Sequence, residues 1–179
     1  MYRKYQFWMV GLVTGFFGGL INFTLLILVW YFIHDSFSLS YILIYLFPLV
    51  FLSYANIRLR DRYSNHMLLF GQSFRLSLLT GITSAIVMSA MAYFGFSFFL
   101  KGILNYRILS VEADLMVAQQ SNQSYDNFRE LSYWVRQMLS PINMALYYFI
   151  FNLILLPIQA AIIAIFVWRK KRIISNENL

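Results

Sequence analysis

Apolar positions in this chain come in long runs. Phe7–Ile33 is 27 residues without a charged side chain, Tyr41–Ile57 is 17, Leu76–Leu100 is 25 and Ile142–Trp168 is 27. A helix needs roughly 20 apolar residues to cross hydrocarbon, so three runs are ample and the second is at the short limit. Helices are the form that satisfies backbone polar groups inside lipid. Strands of a β-barrel would alternate in segments of about ten residues, and no such segments occur. The pattern predicts an all-α membrane protein: one polytopic domain over residues 1–179 with four transmembrane helices. The first run far exceeds the roughly 7–15-residue core of a cleavable signal peptide, and reads as a retained first span.

Charge orients these spans. Ten of the 14 lysines and arginines fall before the first run, between the second and third, or after the fourth; only four lie elsewhere. By the positive-inside rule both termini are cytoplasmic, and 101–140 is a periplasmic segment. The net charge of +7 is therefore topological, and it does not point to nucleic acid. Only 12% of residues are charged, about half the usual share, so lipid has to cover most of the surface. The absence of cysteine excludes disulfides, a thiolate nucleophile and a cysteine metal site. Trp8, Trp30, Tyr41 and Trp168 stand near run ends, where amphipathic rings favour the interface.

Small residues predict packing seams. Gly11, Gly15 and Gly19 are four apart, as are Gly81, Ala85 and Ser89. Each set forms one helix face where another backbone can approach, and the two faces are expected to partner each other. An internal contact is the commoner use of such a face than a homodimer seam. Asn22, Asn152 and Gln159 are amides within the runs, expected to set register more than to line a path. Pro48 and Pro157 are expected to kink their spans. No charged side chain lies inside a run, which weighs against an ion-coupled transporter.

Candidate chemistry is sparse. His34 and Asp35 adjoin at one span end, while His66 falls in the opposite compartment, so no shared zinc site is expected. Phosphate-loop, HExxH and GxSxG motifs are absent, and no cofactor is implied. Glu112 and Asp114 are two apart and read as a solvated face. Leu131, Val135 and Met138 continue a helical stripe from Tyr125 and Phe128, expected to lie on the outer leaflet or over the bundle. Ser140-Pro141 reads as N-cap and first residue of the last helix. Asn122-Gln123-Ser124 has the form of a glycosylation sequon.

The stretch NIRLRDRYSNHMLLFGQSFRLSLL, residues 56–79, stands apart. Arg58, Arg60 and Arg62 form a basic loop in which Asp61 can pair with a neighbouring arginine. Phe70 and Phe74 can dip into the interface while Gln72 and Arg75 bind headgroups, backbone carbonyls or a partner. With Arg169, Lys170, Lys171 and Arg172 these residues make a cationic inner face suited to lipid phosphate or an acidic protein surface. Plain topological anchoring is the competing reading.

Arg60, Asp61, Phe70, Gly71, Gln72, Phe74 and Gly81, with the layout of the spans, resemble the DUF4199 family of small membrane proteins of Bacteroidota. The resemblance implies a bacterial inner-membrane location and, by gene neighbourhood, a protein partner such as a polyprenyl-phosphate glycosyltransferase. Three roles follow as expectations. The first is a noncatalytic accessory or scaffold subunit of an inner-membrane complex, serving that enzyme or an envelope export machine. The second is a small flippase for a lipid-linked sugar. The third is an enzyme working through Arg60, Asp61, Gln72 or His66.

Overall fold

The computed structural model describes residues 4–32, 44–63, 68–120 and 126–167, and no β-strand forms among them. The helices are α1 (Lys4–Phe32), α2 (Pro48–Tyr63), α3 (Phe70–Phe94), α4 (Lys101–Gln120), α5 (Asp126–Met138) and α6 (Pro141–Val167). A π-helical segment, Gly95–Phe99, prolongs α3. Three helices are long and apolar enough to cross a membrane: α1, α3 with its π-helical extension, and α6. Their 27–30 residues measure about 40–45 Å at 1.5 Å per residue, more than a bilayer's hydrocarbon core.

The second run departs from expectation. Its helix begins at Pro48 after a turn in which Val50 N–H donates to Phe47 O at 3.0 Å. Residues 44–46 are helical as well, so the helix of this run is interrupted at Phe47–Pro48, as the proline led one to expect, and Pro48 opens α2 at a first helical position, where a missing N–H costs nothing. The helix then continues past Ile57 to Tyr63. Arg58, Arg60 and Arg62 consequently ride on the last turns of α2, where the sequence suggested a loop. Arginine is a good helix former, and cations suit a helix C-terminus. With 16 residues, α2 alone is about 24 Å long.

Contacts set the directions. A Cβ on Gly11 would meet Leu79, on Gly15 Thr80 and Thr83, and on Gly19 Ser84 and Val87; α1 and α3 therefore run parallel. Ser89 Oγ donates to Ala145 O at 2.8 Å, while a Cβ on Gly81 would run into the Leu156 side chain; α6 is antiparallel to α3. Asn56 and Phe51 of α2 face Ser77 of α3 and Gly18 of α1. The glycine face of α1 thus does meet α3. The Gly81 and Ser89 face of α3, expected opposite those glycines, turns instead to α6, with Ala85 buried beside it. One helix serves two neighbours from different sides.

The exterior is as apolar as the interior, unlike that of a water-soluble bundle. Gly11, Thr14, Gly15 and Asn22 of α1 are buried, while Phe16, Phe17, Ile21 and Leu28 point outward. In α6, Ile150, Ile154, Ile158 and Ile165 are outward too. Such an exterior is stable only against lipid. Two apolar clusters cap the interior: Val10, Leu59, Leu76 and Ile163 at one end, and Trp30, Phe96, Leu104 and Tyr148 at the other. Leu100 N–H donates to Gly95 O at 2.8 Å, the i→i+5 bond of a π-helix. Phe96, fully buried, lies 4.8 Å from the Trp30 ring and 6.4 Å from Tyr148.

Within the segment after α3, Lys101–Gln120 form α4 and Asp126–Met138 form α5. Ser132 and Arg136 of α5 clasp Glu112 of α4. Ser140 caps α6 by accepting from Asn143 N–H at 3.4 Å. Of the apolar stripe of α5, Leu131 and Met138 stay about half exposed and Val135 is partly buried, with Trp134 beside them also half exposed.

Candidate functional site

The N-terminal ends of α1 and α3 and the C-terminal end of α2 converge at one end of the bundle. There, Lys4, Phe7, Trp8, Gln72 and Arg75 line a cleft of about 280 Å³. Two cations, an amide and an indole make it receptive to a phosphate or carboxylate. The start of α3 is built for this placement. Gln72 Oε1 accepts from Leu69 N–H at 3.3 Å, satisfying one of the helix's orphan donors. Its Nε2 is left directed away from that cap bond. Phe70 and Phe74 stack with centroids 6.2 Å apart and planes at 12°.

Sequence reasoning placed Gln72 and Arg75 together and missed Lys4 and Trp8 as their neighbours, which the first turns of α1 bring to the cleft. The arginines of α2 sit at the same end but do not line this cleft. Positions 58 and 62 lie on one side of the helix and 60 on the other, since each residue turns it by about 100°. Arg60 Nε bonds Asp61 Oδ1 at 2.7 Å. Arg58 is half-buried, and its Nε lacks a hydrogen-bond partner. Gly71 meets nothing: a Cβ there would have no heavy atom within 4 Å.

Beneath the cationic end lies a buried polar knot. Ser73 Oγ donates to Asn56 Oδ1 at 2.7 Å, and Asn56 Nδ2 donates to Ser77 Oγ at 2.7 Å and Leu52 O at 2.8 Å. All three side chains are wholly buried. Ser73 belongs to the FGQSF motif, so part of that motif is structural. Serines four apart opposite an asparagine were the available clue.

The remaining amides are also engaged. Gln159 Nε2 donates to Tyr45 O at 2.6 Å and Asn152 Nδ2 to Tyr148 O at 2.7 Å. Asn22 Nδ2 lies 2.9 Å from Met88 Sδ. The bond of Gln159 and the Asn22–Met88 contact join separate parts of the bundle, that of Asn152 to Tyr148 lies within α6, and Asn22 Oδ1, Thr14 Oγ1 and Thr80 Oγ1 are buried without a hydrogen-bond partner.

At the opposite end Glu112 is 6% exposed, contrary to the solvated face expected of it. Arg136 Nε and NH2 donate to its two oxygens at 2.6 and 2.9 Å, and Ser132 Oγ donates at 2.6 Å. The Arg136 bonds, then that of Ser132, hold its carboxyl down at about 2. Asp114, two residues on, is exposed as expected.

His34, Asp35, His66, Asn122–Ser124 and the basic run Arg169, Lys170, Lys171 and Arg172 lie outside the described residues. Among the described residues, no three of His, Asp or Glu gather as a metal site. No protein-family model, no curated protein and no solved structure matches the chain.

Proposed function

We propose that the chain is a four-span protein of the bacterial inner membrane, with both termini cytoplasmic, acting as a noncatalytic accessory or scaffold subunit. In this reading α2 and the residues before it supply the fourth crossing. The cationic end faces the cytoplasm, and α4 and α5 stand in the periplasm.

The observation that carries the proposal is the gathering of Lys4, Gln72 and Arg75 around one cleft, with Arg58, Arg60 and Arg62 at the same end. A cationic cleft at a membrane face attracts acidic groups of lipid or protein. The buried amides support the same reading, because they are engaged in helix-to-helix bonds. The resemblance carried by Arg60, Asp61, Phe70 and Gln72 adds a polyprenyl-phosphate glycosyltransferase, or an envelope export machine, as the kind of partner served.

The test is purification of the tagged protein from its native membrane in mild detergent. A partner retained in stoichiometric amount, and lost from Gln72→Ala/Arg75→Glu at unchanged expression, is the expected result. A protein that emerges alone after gentle extraction, or a partner indifferent to the double variant, overturns it.

A further inference from the structure

The cleft formed by Lys4, Phe7, Trp8, Gln72 and Arg75 holds charge of one sign only. No acidic side chain lines it, and the first turn of α3 beside it contains none, so no carboxylate counters the positive end of that helix's dipole. Lys4 and Arg75 are exposed, and neither has an ion pair or hydrogen bond with a described residue. Gln72 commits only its Oε1, to Leu69 N–H, which leaves the two donors of Nε2 for another group. At the other end of the bundle Arg107 lies 4.3 Å over the Trp30 ring, and the cleft there also holds Asp114. That second cleft has no bias of charge.

The surroundings of the cationic cleft are apolar on one side. Trp8 is 54% exposed and lies one turn beyond Lys4 on α1. An exposed indole near the end of an apolar helix marks the hydrocarbon boundary. Leu12, a further turn along, is exposed as well. On α3, Ile82 and Ile86 stand 7 and 11 residues after Arg75, within about 20° of it around the helix, and both are exposed. The other side of the α1–α3 seam is covered by α2, through Phe51 at Gly18 and Asn56 at Ser77. Gly18 is turned about 120° from Leu12 around α1, and Ser77 about 140° from Ile82 around α3. The cleft therefore opens away from α2, onto an apolar furrow that leads from Trp8 and Arg75 into hydrocarbon. A ligand that fills both carries an anion at one end and a chain at the other.

We infer that this cleft holds the headgroup of a membrane lipid that ends in a phosphate monoester, of the phosphatidic acid type, with an acyl chain in the furrow. The inference rests on the reading of the cleft as the docking place of an acidic group, and it names that group. A phosphate monoester carries about −1.5 to −2 charges at pH 7 and three acceptor oxygens. Lys4, Arg75 and the Gln72 amide bring two cations and three donor groups to one place from two helices, a match in both charge and geometry. A phosphodiester headgroup carries a single charge and leaves one cation unmatched, so the site discriminates between acidic lipids. An acidic peptide would match the cations but would lay backbone polar groups against the apolar furrow.

The experiment uses the full chain in nonionic detergent, read by native mass spectrometry, with dioleoyl phosphatidic acid and dioleoyl phosphatidylglycerol as probes and inorganic phosphate as competitor. Phosphatidic acid should be retained over phosphatidylglycerol by about tenfold, and Lys4→Gln and Arg75→Gln should each lower its retention by about tenfold. Both variants change exposed side chains, so thermal stability should hold. Arg62→Gln alters an exposed arginine at the same end that does not line the cleft, and should leave retention unchanged. Equal retention of the two lipids, or a loss from Arg62→Gln as large as that from Arg75→Gln, means diffuse attraction to a basic surface and overturns the inference. Displacement by inorganic phosphate at matching concentration makes the ligand a soluble phosphate, and also overturns it. No retained lipid, with a protein partner still lost from Gln72→Ala/Arg75→Glu, overturns the inference and leaves the accessory role standing. Retained phosphatidic acid on a protein that emerges without a partner upholds the inference and removes that role.

Discussion

Gly15 lies so close to Thr80 that a Cβ built on it would stand 2.5 Å from the Thr80 carbonyl oxygen. That oxygen belongs to a helix backbone and cannot move aside, so the α1–α3 crossing depends on a missing methyl group. Gly11 is different: its Cβ would meet Leu79 Cδ2 at 2.6 Å, the end of a flexible side chain. Gly15→Ala should therefore destabilise the bundle by about 1–3 kcal/mol. Gly11→Ala should stay near neutral, because Leu79 can rotate and alanine favours helix by about 1 kcal/mol. Unfolding by titration with dodecyl sulfate separates the two, and equal effects would mean that the backbones are not in contact.

Gly71 sits in the most distinctive motif of the chain, yet its surroundings are open. Gly71→Ala should be tolerated and stabilise by a few tenths to about 1 kcal/mol, through a less flexible unfolded chain. A clear loss of stability in the same titration would disprove that Gly71 faces open space.

Asn56 joins α2 to α3 through two serines. Asn56→Ala should cost about 1–2 kcal/mol by leaving both hydroxyls without this partner. Ser73→Ala and Ser77→Ala should each cost about 0.6 kcal/mol, the usual worth of such a bond in a membrane. In the Asn56→Ala background the serine substitutions should then have almost no effect, and additive losses would disprove the coupling.

Glu112 ties α4 to α5, and its lowered pKa fixes the sign of the pH dependence. A carboxyl held at about 2 when folded and near its ordinary value of 4.5 when released contributes fully above 4.5. The contribution falls as pH drops below that value and is gone once pH passes about 2. Spin labels at Ala113→Cys and Tyr133→Cys, in a chain with no other cysteine, report the separation of α4 and α5. The distance should stay narrow from pH 7 to pH 4.5 and broaden toward pH 2. Glu112→Gln should broaden it at every pH, because the neutral amide gives up the paired contacts with Arg136. A distance unchanged in Glu112→Gln would rule out the clasp.

The cysteine-free background also tests orientation. Single cysteines at Leu109 and Tyr133, both exposed, should react with an impermeant maleimide on spheroplasts. One at Arg62 should react only after the membrane is opened. The reverse pattern would place the cationic cleft outside the cell and remove its proposed cytoplasmic partner.

Run length and charge placement, taken from the amino-acid order alone, already determine an all-helical chain, three long apolar helices and a basic end. These features rest on local quantities: hydrocarbon thickness, backbone hydrogen bonding within a helix, and where lysine and arginine stand. Even the Ser140-Pro141 start of α6 is a local matter. Which faces meet is not. Gly81 was as good a partner for Gly15 as Leu156 was for Gly81, because spacing marks a small face without naming its neighbour. Glu112 and Asp114 look alike in the sequence; only the arrival of Arg136 from α5 makes one buried and leaves the other at a cleft. Lys4 joins Gln72, and Trp30 joins Arg107, because α1 runs parallel to α3 and beneath the first turns of α4. Those juxtapositions belong to the packing of whole helices, whose energy is shared among many weak contacts and is written in no short stretch of sequence.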